Sequence, residues 1–417
     1  MSANAPRARA GIGTPSLDAA VLRWEAPQTA HRLGPVQPLT LGVVATSRKP
    51  DERRQAIHPA HLGRIDAELR ARMFFERGYG DELGSSDAEI APLVGGLLSR
   101  EELFARCDVI LLPKPLAEDL ETLRPGQVVW GWPHCVQDRE MTQLAIDRRV
   151  TLIAWEAMNH WTRDGHFSVH VFHKNNELAG YCSVLHAFSL LGVSGDYGRR
   201  LSAAVISFGA TARGAVRGLA ALGVSDVSVL TQRAVSAVAA PFASVRMRHF
   251  ARDPANPSRT LALEGPGPGP LVDVLAEHDV IVNCILQDTD APLMFVMNED
   301  LGRFRPGTLF IDVSCDEGMA FEWARPTSFA HPMVTVGRGL HYYAVDHSPS
   351  FLWNSATWEN SEALLEYLPI VMAGPAAWDA DETIRRAIEI REGIVENPRI
   401  LSFQGRESTY PYAVSAP

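Results

Sequence analysis

From Leu39 onward, short β-branched or apolar runs alternate with amphipathic segments. LTLGVVAT precedes a helical pattern near Pro59 to Arg72, and SREELFAR leads into CDVILLPKP. GQVVWGW, the helical QDREMTQLAIDRR with Asp138 near its start, and VTLIAWEAM continue the βα alternation. This pattern predicts a parallel sheet covered by helices on both faces. NNELAGYCSVLHAFSLLG follows, with Asn175 as a cap and Gly192 as a stop. Its apolar residues surround nearly the whole helix, predicting a buried helix that joins two domains. A second βα series opens at AAVISF (Ala203 to Phe208) and runs through DVSVLT, DVIVNCIL and GTLFIDVS, with EGPGPGP as a surface loop. WNSATWENSEALLEYL and DETIRRAIEIREGIV then predict helices that pack back onto the first domain. The expected fold is α/β: two doubly wound Rossmann-like domains with the active site in the cleft between them. Residues 1–38 form an N-terminal arm, 39–175 a catalytic domain completed by 341–417, and 176–340 a dinucleotide domain.

Composition narrows the function. The 417 residues are 46% hydrophobic and 21% charged, ordinary for a folded globular chain, and the net charge of −10 disfavours nucleic acid and anionic lipid as partners. No apolar run approaches the roughly 20 residues of a membrane span, and Met1 to Trp24 lacks a signal-peptide core, so a cytoplasmic location is expected. Five cysteines without a CxxC pair read as reduced and structural. No metal centre is expected from His166, His170 and His173, because FSVHVFH alternates like a strand and splits the last two between faces. GxSxG and GxxxxGK[ST] are absent, leaving hydrolase and NTPase readings without support.

After Phe208 the chain reads Gly209-Ala210-Thr211-Ala212-Arg213-Gly214 and enters a helical pattern. A strand, a glycine turn and a helix N-terminus can cradle a pyrophosphate, although Thr211 replaces the second glycine and an ordinary tight βα turn would look similar. The next strand ends at Thr231-Gln232-Arg233, where NAD enzymes carry a carboxylate for the ribose 2′-hydroxyl. An arginine there pairs with a 2′-phosphate, so Gln232 and Arg233 point to NADP(H); a solvated surface arginine is the bland alternative. Cys284, at the end of DVIVNCIL, is placed beside this cofactor as small apolar packing.

In the first domain Arg54, Lys114, His134 and Glu156 fall at or near strand ends, where doubly wound sheets put ligands. Singly, each reads equally well as a loop charge or structural residue. Together, RKPDERRQAIHP, strand-end Lys114 and His134, the NELAG helix start, IDVSCDEG and GRGLHYY resemble the alanine dehydrogenase, transhydrogenase and lysine-forming saccharopine dehydrogenase superfamily, from about Leu39 to the C-terminal helices. Within it, HVFHKNNELAGYCSVLHA, VLTQR, IDVSCDEGMAFEWARPT and VDHSPSFLWNSATWE are most similar to the carboxyethylornithine synthase branch, which joins pyruvate to the side-chain amine of ornithine with NADPH.

The resemblance implies that Arg54 holds the substrate carboxylate, Lys114 meets the keto or imino acid, His134 is the acid–base group and Asp316 lies near the nicotinamide. It also places Asn176 and Asp346 against the cofactor, Asp346 standing where alanine dehydrogenase has an asparagine. Glu156 is assigned to the substrate side. The implied reaction condenses a 2-oxo acid with the amine of an amino acid. A saccharopine or alanine dehydrogenase-like reaction and a non-catalytic NADPH-binding protein remain alternatives. The partners are small-molecule substrates, and because the family tends to assemble, a homo-oligomer is implied.

Overall fold

The computed structural model describes residues 38–233, 245–264, 267–288 and 291–414. The expected N-terminal arm lies, but for Pro38, outside them. The first sheet contains β1 (Leu41–Val43), β2 (Met73–Glu76), β3 (Gly96–Leu98), β4 (Val109–Leu111), β5 (Val128–Gly131) and β6 (Thr151–Ala154). All are parallel, in the order β3-β2-β1-β4-β5-β6. β1, β4, β5 and β6 are buried along their whole length, which explains their continuous apolar runs. The strand order reverses beside β1, opening a crevice at the carboxyl ends of β1 and β4.

The chain's last stretch corrects one expectation. DETIRRAIEIREGIV is helical only over Glu382–Ala387, after which Ile388–Arg391 and Ile394–Val395 form strands. Ile388–Arg391 pairs antiparallel with β6, and Gly393 turns the chain at φ +83°. The β-branched Ile388 and Ile390 suit a strand, and β6 would otherwise present an unpaired edge. The segment near Pro59 to Arg72 is likewise broken into a 3-10 turn, Pro59–Arg64, and a short helix, Ala67–Arg70.

The second sheet carries six parallel strands in the order Val245–Arg252, Asp226–Thr231, Ser202–Ile206, Val280–Asn283, Leu309–Asp312, Leu340–Tyr343. This is the same doubly wound order, and antiparallel strands extend both edges. Among the described residues no helix is long and apolar enough to cross a membrane.

The sheets are joined through the helix His173–Leu191. Its inner side, including Gly180, Cys182, Val184, Ala187 and Phe188, is buried, but Leu190 is 44% exposed, so the helix is covered on one side rather than all round. It crosses the helix Ala210–Ala221 at backbone contact. A β-carbon at Gly214 would stand 1.7 Å from the Glu177 carbonyl oxygen, and one at Gly180 would stand 1.9 Å from that of Thr211. Gly214→Ala and Gly180→Ala should therefore each destabilise the protein by about 1–3 kcal/mol or more. Gly302→Ala, with open space around it, should leave the thermal midpoint within a degree or two. Equal midpoints for all three variants would contradict this account.

Candidate active site

Four loops at the carboxyl end of the first sheet converge. The loop after β1 supplies Lys49, Glu52 and Arg54, those after β4 and β5 supply Lys114 and His134, and the turn after β6 supplies Glu156. Lys114 Nζ lies 2.6 Å from His134 Nε2. The His134 backbone N–H donates to Glu156 Oε1 at 2.7 Å, and the same oxygen is 3.7 Å from Nδ1. The imidazole thus stands between an ammonium and a carboxyl group. His134 itself adopts a left-handed backbone, φ +49°.

Arg54 is more committed than its sequence reading implied. It is 3% exposed, its Nε and Nη2 donate to the two Glu52 carboxylate oxygens at 2.8 and 2.5 Å, and Nη1 donates to Asn175 Oδ1 at 3.1 Å. Its guanidinium also lies 4.8 Å from the Trp132 ring centre. One edge of the guanidinium fork is therefore taken from within, and only the remaining N–H groups can meet a substrate carboxylate. Asn175 sits inside the helix rather than at its cap, because the helix already begins at His173. Asn176, half-buried in the same turn, donates its backbone N–H to the Phe172 carbonyl.

Charge in the cleft follows from these contacts. Burial, and then the Lys49 and Arg54 cations, bring the Lys114 ammonium down to about 8. Although 44% of the His134 side chain stays open, enclosure on its other sides and then the charges of Lys114 and Lys49 hold it well below the usual histidine value. Near neutrality Lys114 donates to a neutral imidazole. Burial and then Glu389 push Glu156 up to about 8, which keeps it protonated at pH 7, and its buried Oε2 has no partner among the described residues. Burial opposes ionisation of Glu52, yet Arg54 brings it to about 2. Burial also opposes ionisation of Asp346, but a hydrogen bond with His347 and the Lys49 and Lys114 charges hold it far below the carboxylate range. Lys49 pairs with Asp346 and Arg54 with Glu52, while Lys114 has no carboxylate at ion-pair distance among the described residues.

The second sheet completes the cleft. Its first strand ends at Ile206, and Gly209 caps the helix that starts at Ala210. This shifts the glycine fingerprint two residues upstream of the reading from spacing. Ser207, at φ +89°, takes the tight-turn position, Gly209 the position of closest phosphate approach, and the fully buried Ala212 the packing position. Gly214 is removed from the cofactor set, since the neighbouring helix backbone covers it. A β-carbon at Gly209 would meet only Ser207 Oγ at 4.0 Å, so the space ahead of the turn is open. Ala210, Thr211 and Ala212 begin the helix, where N–H groups lack intrahelical acceptors. These features fit a dinucleotide pyrophosphate.

Arg233 Nη2 donates to the Phe208 carbonyl at 3.2 Å, bringing the guanidinium beside this turn, with exposed Gln232 next to it. Arg213 stacks 4.4 Å from the Phe208 ring centre. The Cys284 N–H donates to the Ile206 carbonyl, and its side chain belongs to the core beneath the turn. Asp316 is half-buried, and burial pushes it up to about 6. Its loop is held by Asp312, which accepts from Asn283 Nδ2 at 2.9 Å, the Cys315 N–H at 3.1 Å and the Tyr342 hydroxyl at 3.0 Å. Burial, then Asp312, Asp346 and Asp316, push the Cys315 thiol up while Lys114 opposes them, so residues of both sheets meet around it.

Lys49, Glu52, Asp312 and Tyr342 were missed in the sequence. One signal for Lys49 was available: only three of the 39 basic residues are lysines, and two of the three meet in this cleft. Where arginine serves almost every basic position, a retained lysine marks a place that needs a compact, titratable ammonium.

Two doubly wound sheets with a glycine turn in one and a lysine–histidine pair in the other define a two-domain, dinucleotide-binding α/β protein. The chain belongs to the alanine dehydrogenase/PNT family of oxidoreductases: residues 42–179 match its N-terminal domain and 258–398 its C-terminal domain. It is 28% identical over 329 residues to an N(5)-(carboxyethyl)ornithine synthase of Clostridium botulinum, covering 76% of this chain and 90% of that protein. It is 25% identical over 397 residues to an alanine dehydrogenase of Mycobacterium tuberculosis, covering 89% of this chain and 99% of the relative. A solved L-alanine dehydrogenase shares the fold with TM-score 0.67 at 18% identity, covering 88% of this chain and 99% of that one. A transhydrogenase from Sinorhizobium meliloti shares it with TM-score 0.62 at 18% identity, covering 86% and 99%.

The scarcity of lysine makes the Lys114 titration measurable. After reductive methylation with 13C-formaldehyde, one lysine dimethylamine resonance of the native protein should titrate near 8 and disappear in Lys114→Arg. In denaturant it should return to about 10.4. A native Lys114 resonance titrating above about 9.5 would refute the electrostatic account.

Proposed function

We propose that the chain is an NADPH-dependent opine-type synthase, condensing a 2-oxo acid, pyruvate favoured, with the amine of an ornithine- or lysine-like amino acid. The observation that carries the reading is the 2.6 Å Lys114–His134 contact, in which an ammonium with no carboxylate at ion-pair distance among the described residues faces a neutral imidazole. The similarity to carboxyethylornithine synthase over 90% of that protein supports it.

Lys114, with the uncommitted N–H groups of Arg54, binds the oxo acid carboxylate and carbonyl oxygen. Once Lys114 turns from His134 Nε2 to the bound oxo acid, that nitrogen is free to accept a proton from the attacking amine and return it to the hydroxyl that leaves as water. Asp316, drawn toward neutral pH by burial, balances the cationic iminium that results. An ammonium-form amine, a 2-oxo acid and NADPH yield a protonated secondary amine, water and NADP only with uptake of one proton, which protonated Glu156 behind His134 is placed to replenish. NADPH supplies the hydride. Gly209 and the start of the helix Ala210–Ala221 would hold its pyrophosphate, Arg233 would pair with its 2′-phosphate, and Asn176, Cys284 and Asp346 would border it. The match to an alanine dehydrogenase over 99% of its length favours reductive amination with ammonium as the second reading.

NADPH oxidation with pyruvate, offering ornithine, lysine, other amino acids and ammonium one at a time, should proceed with a diamino acid and give a product heavier by one carboxyethyl group. Turnover with ammonium alone would replace the proposal by the second reading. Lys114→Ala and His134→Ala should each lower kcat by about 10²–10⁴ with NADPH still bound, and wild-type rates would remove that residue from the mechanism. Arg233→Ala should raise the KM for NADPH about tenfold or more while changing that for NADH little; equal effects would count against NADP preference.

A further inference from the structure

His134 holds a backbone conformation that L-residues with side chains rarely adopt, φ +49°. Such a conformation persists only where its surroundings over-determine it. Two constraints are local. Its N–H is taken by Glu156 Oε1, and its carbonyl accepts from the Gln137 and Asp138 N–H groups at 3.1 and 3.0 Å. The third comes from the far end of the chain. Gln404, the last residue of the helix Pro398–Gln404, is fully buried. Its Nε2 donates to the Cys135 carbonyl at 2.7 Å, with the Thr142 hydroxyl at 3.2 Å and the Val136 and Asp138 carbonyls at 3.3 and 3.4 Å.

The amide is held in turn. Arg406 Nε donates to Gln404 Oε1 at 2.6 Å, and the Arg406 guanidinium is fixed by Gln143 Oε1 and the Tyr412 carbonyl at 2.8 and 3.1 Å. With its oxygen occupied by Arg406, the amide presents its N–H₂ to the loop rather than its oxygen. Thr142 Oγ1 donates to the same Cys135 carbonyl at 2.7 Å. The peptide that follows Cys135, one residue beyond His134, is thus gripped from two sides, one of them the C-terminal helix.

We propose that Gln404 is a positioning residue for the reaction: by clamping the Cys135 carbonyl it holds His134 in the left-handed conformation that keeps Nε2 on Lys114. This rests on the reading of His134 as the acid–base group. The groups facing the imidazole are Lys114, Lys49, Arg54, Asp346 and Glu156. Release of the loop moves it away from the enclosure and cations that keep it neutral.

The test is Gln404→Met in the full-length protein, which preserves length and removes the donor. Turnover should fall about tenfold or more, the Kd for NADPH should stay unchanged, and the acid limb of the kcat/KM profile should move to higher pH. Thr142→Val, which removes the other bond to the same carbonyl, should move that limb in the same direction by less. A Gln404→Met enzyme with wild-type turnover and an unmoved acid limb overturns the proposal. If that variant does not fold, an unmoved limb in Thr142→Val overturns it. Wild-type turnover in His134→Ala would instead overturn the reading of the site, separating the two failures.

Discussion

The close crossing of the helices His173–Leu191 and Ala210–Ala221 is the constraint on which the remaining geometry depends. At Gly180 and Gly214 each helix lies against the other's backbone, with no room for a β-carbon. One helix follows the catalytic loops and supplies Asn175 to Arg54, while the other starts at the glycine turn. Their separation therefore fixes how far the glycine turn lies from Arg54, Lys114 and His134. A pair of ordinary helices packs with axes about 8–10 Å apart, and glycine at the crossing allows the closer approach that brings both chemistries to one cleft.

Within that cleft, the buried charges pair in a way that leaves one cation without a carboxylate at ion-pair distance among the described residues. Glu52 holds Arg54, and Asp346 holds Lys49 across the two sheets. Lys114 remains beside a neutral imidazole. A buried ammonium without an ion-pair partner is costly, and under the proposed function an anionic substrate would relieve that cost on binding. The protonated Glu156 adds no negative charge that would compete for Lys114.

Much of this was legible in the chain. Doubly wound sheets bring the carboxyl ends of their strands together, so Lys114 and His134, each two residues past an apolar run, could be placed in a cleft without knowing any contact. The glycine turn was legible as a turn but not in register, because spacing shows where glycines are, not where the strand stops. Ser207 carries the positive φ that the motif leads one to expect of glycine, and Gly214 serves the helix crossing. The C-terminal Ile388 and Ile390 read as helix because local pattern cannot show that β6 offers them an open edge.

The sequence by itself determined the alternation of elements, the strand-end chemistry and the absence of a carboxylate at Arg233, since each is a property of neighbouring residues. Only the tertiary structure decided which groups are charged and which are held. Glu52, Lys49, Glu156 and Gln404 acquire their roles from partners 2, 297, 22 and 269 residues away, or from burial itself. Desolvation and long-range hydrogen bonds depend on what surrounds a side chain in space, and a linear pattern carries no record of that.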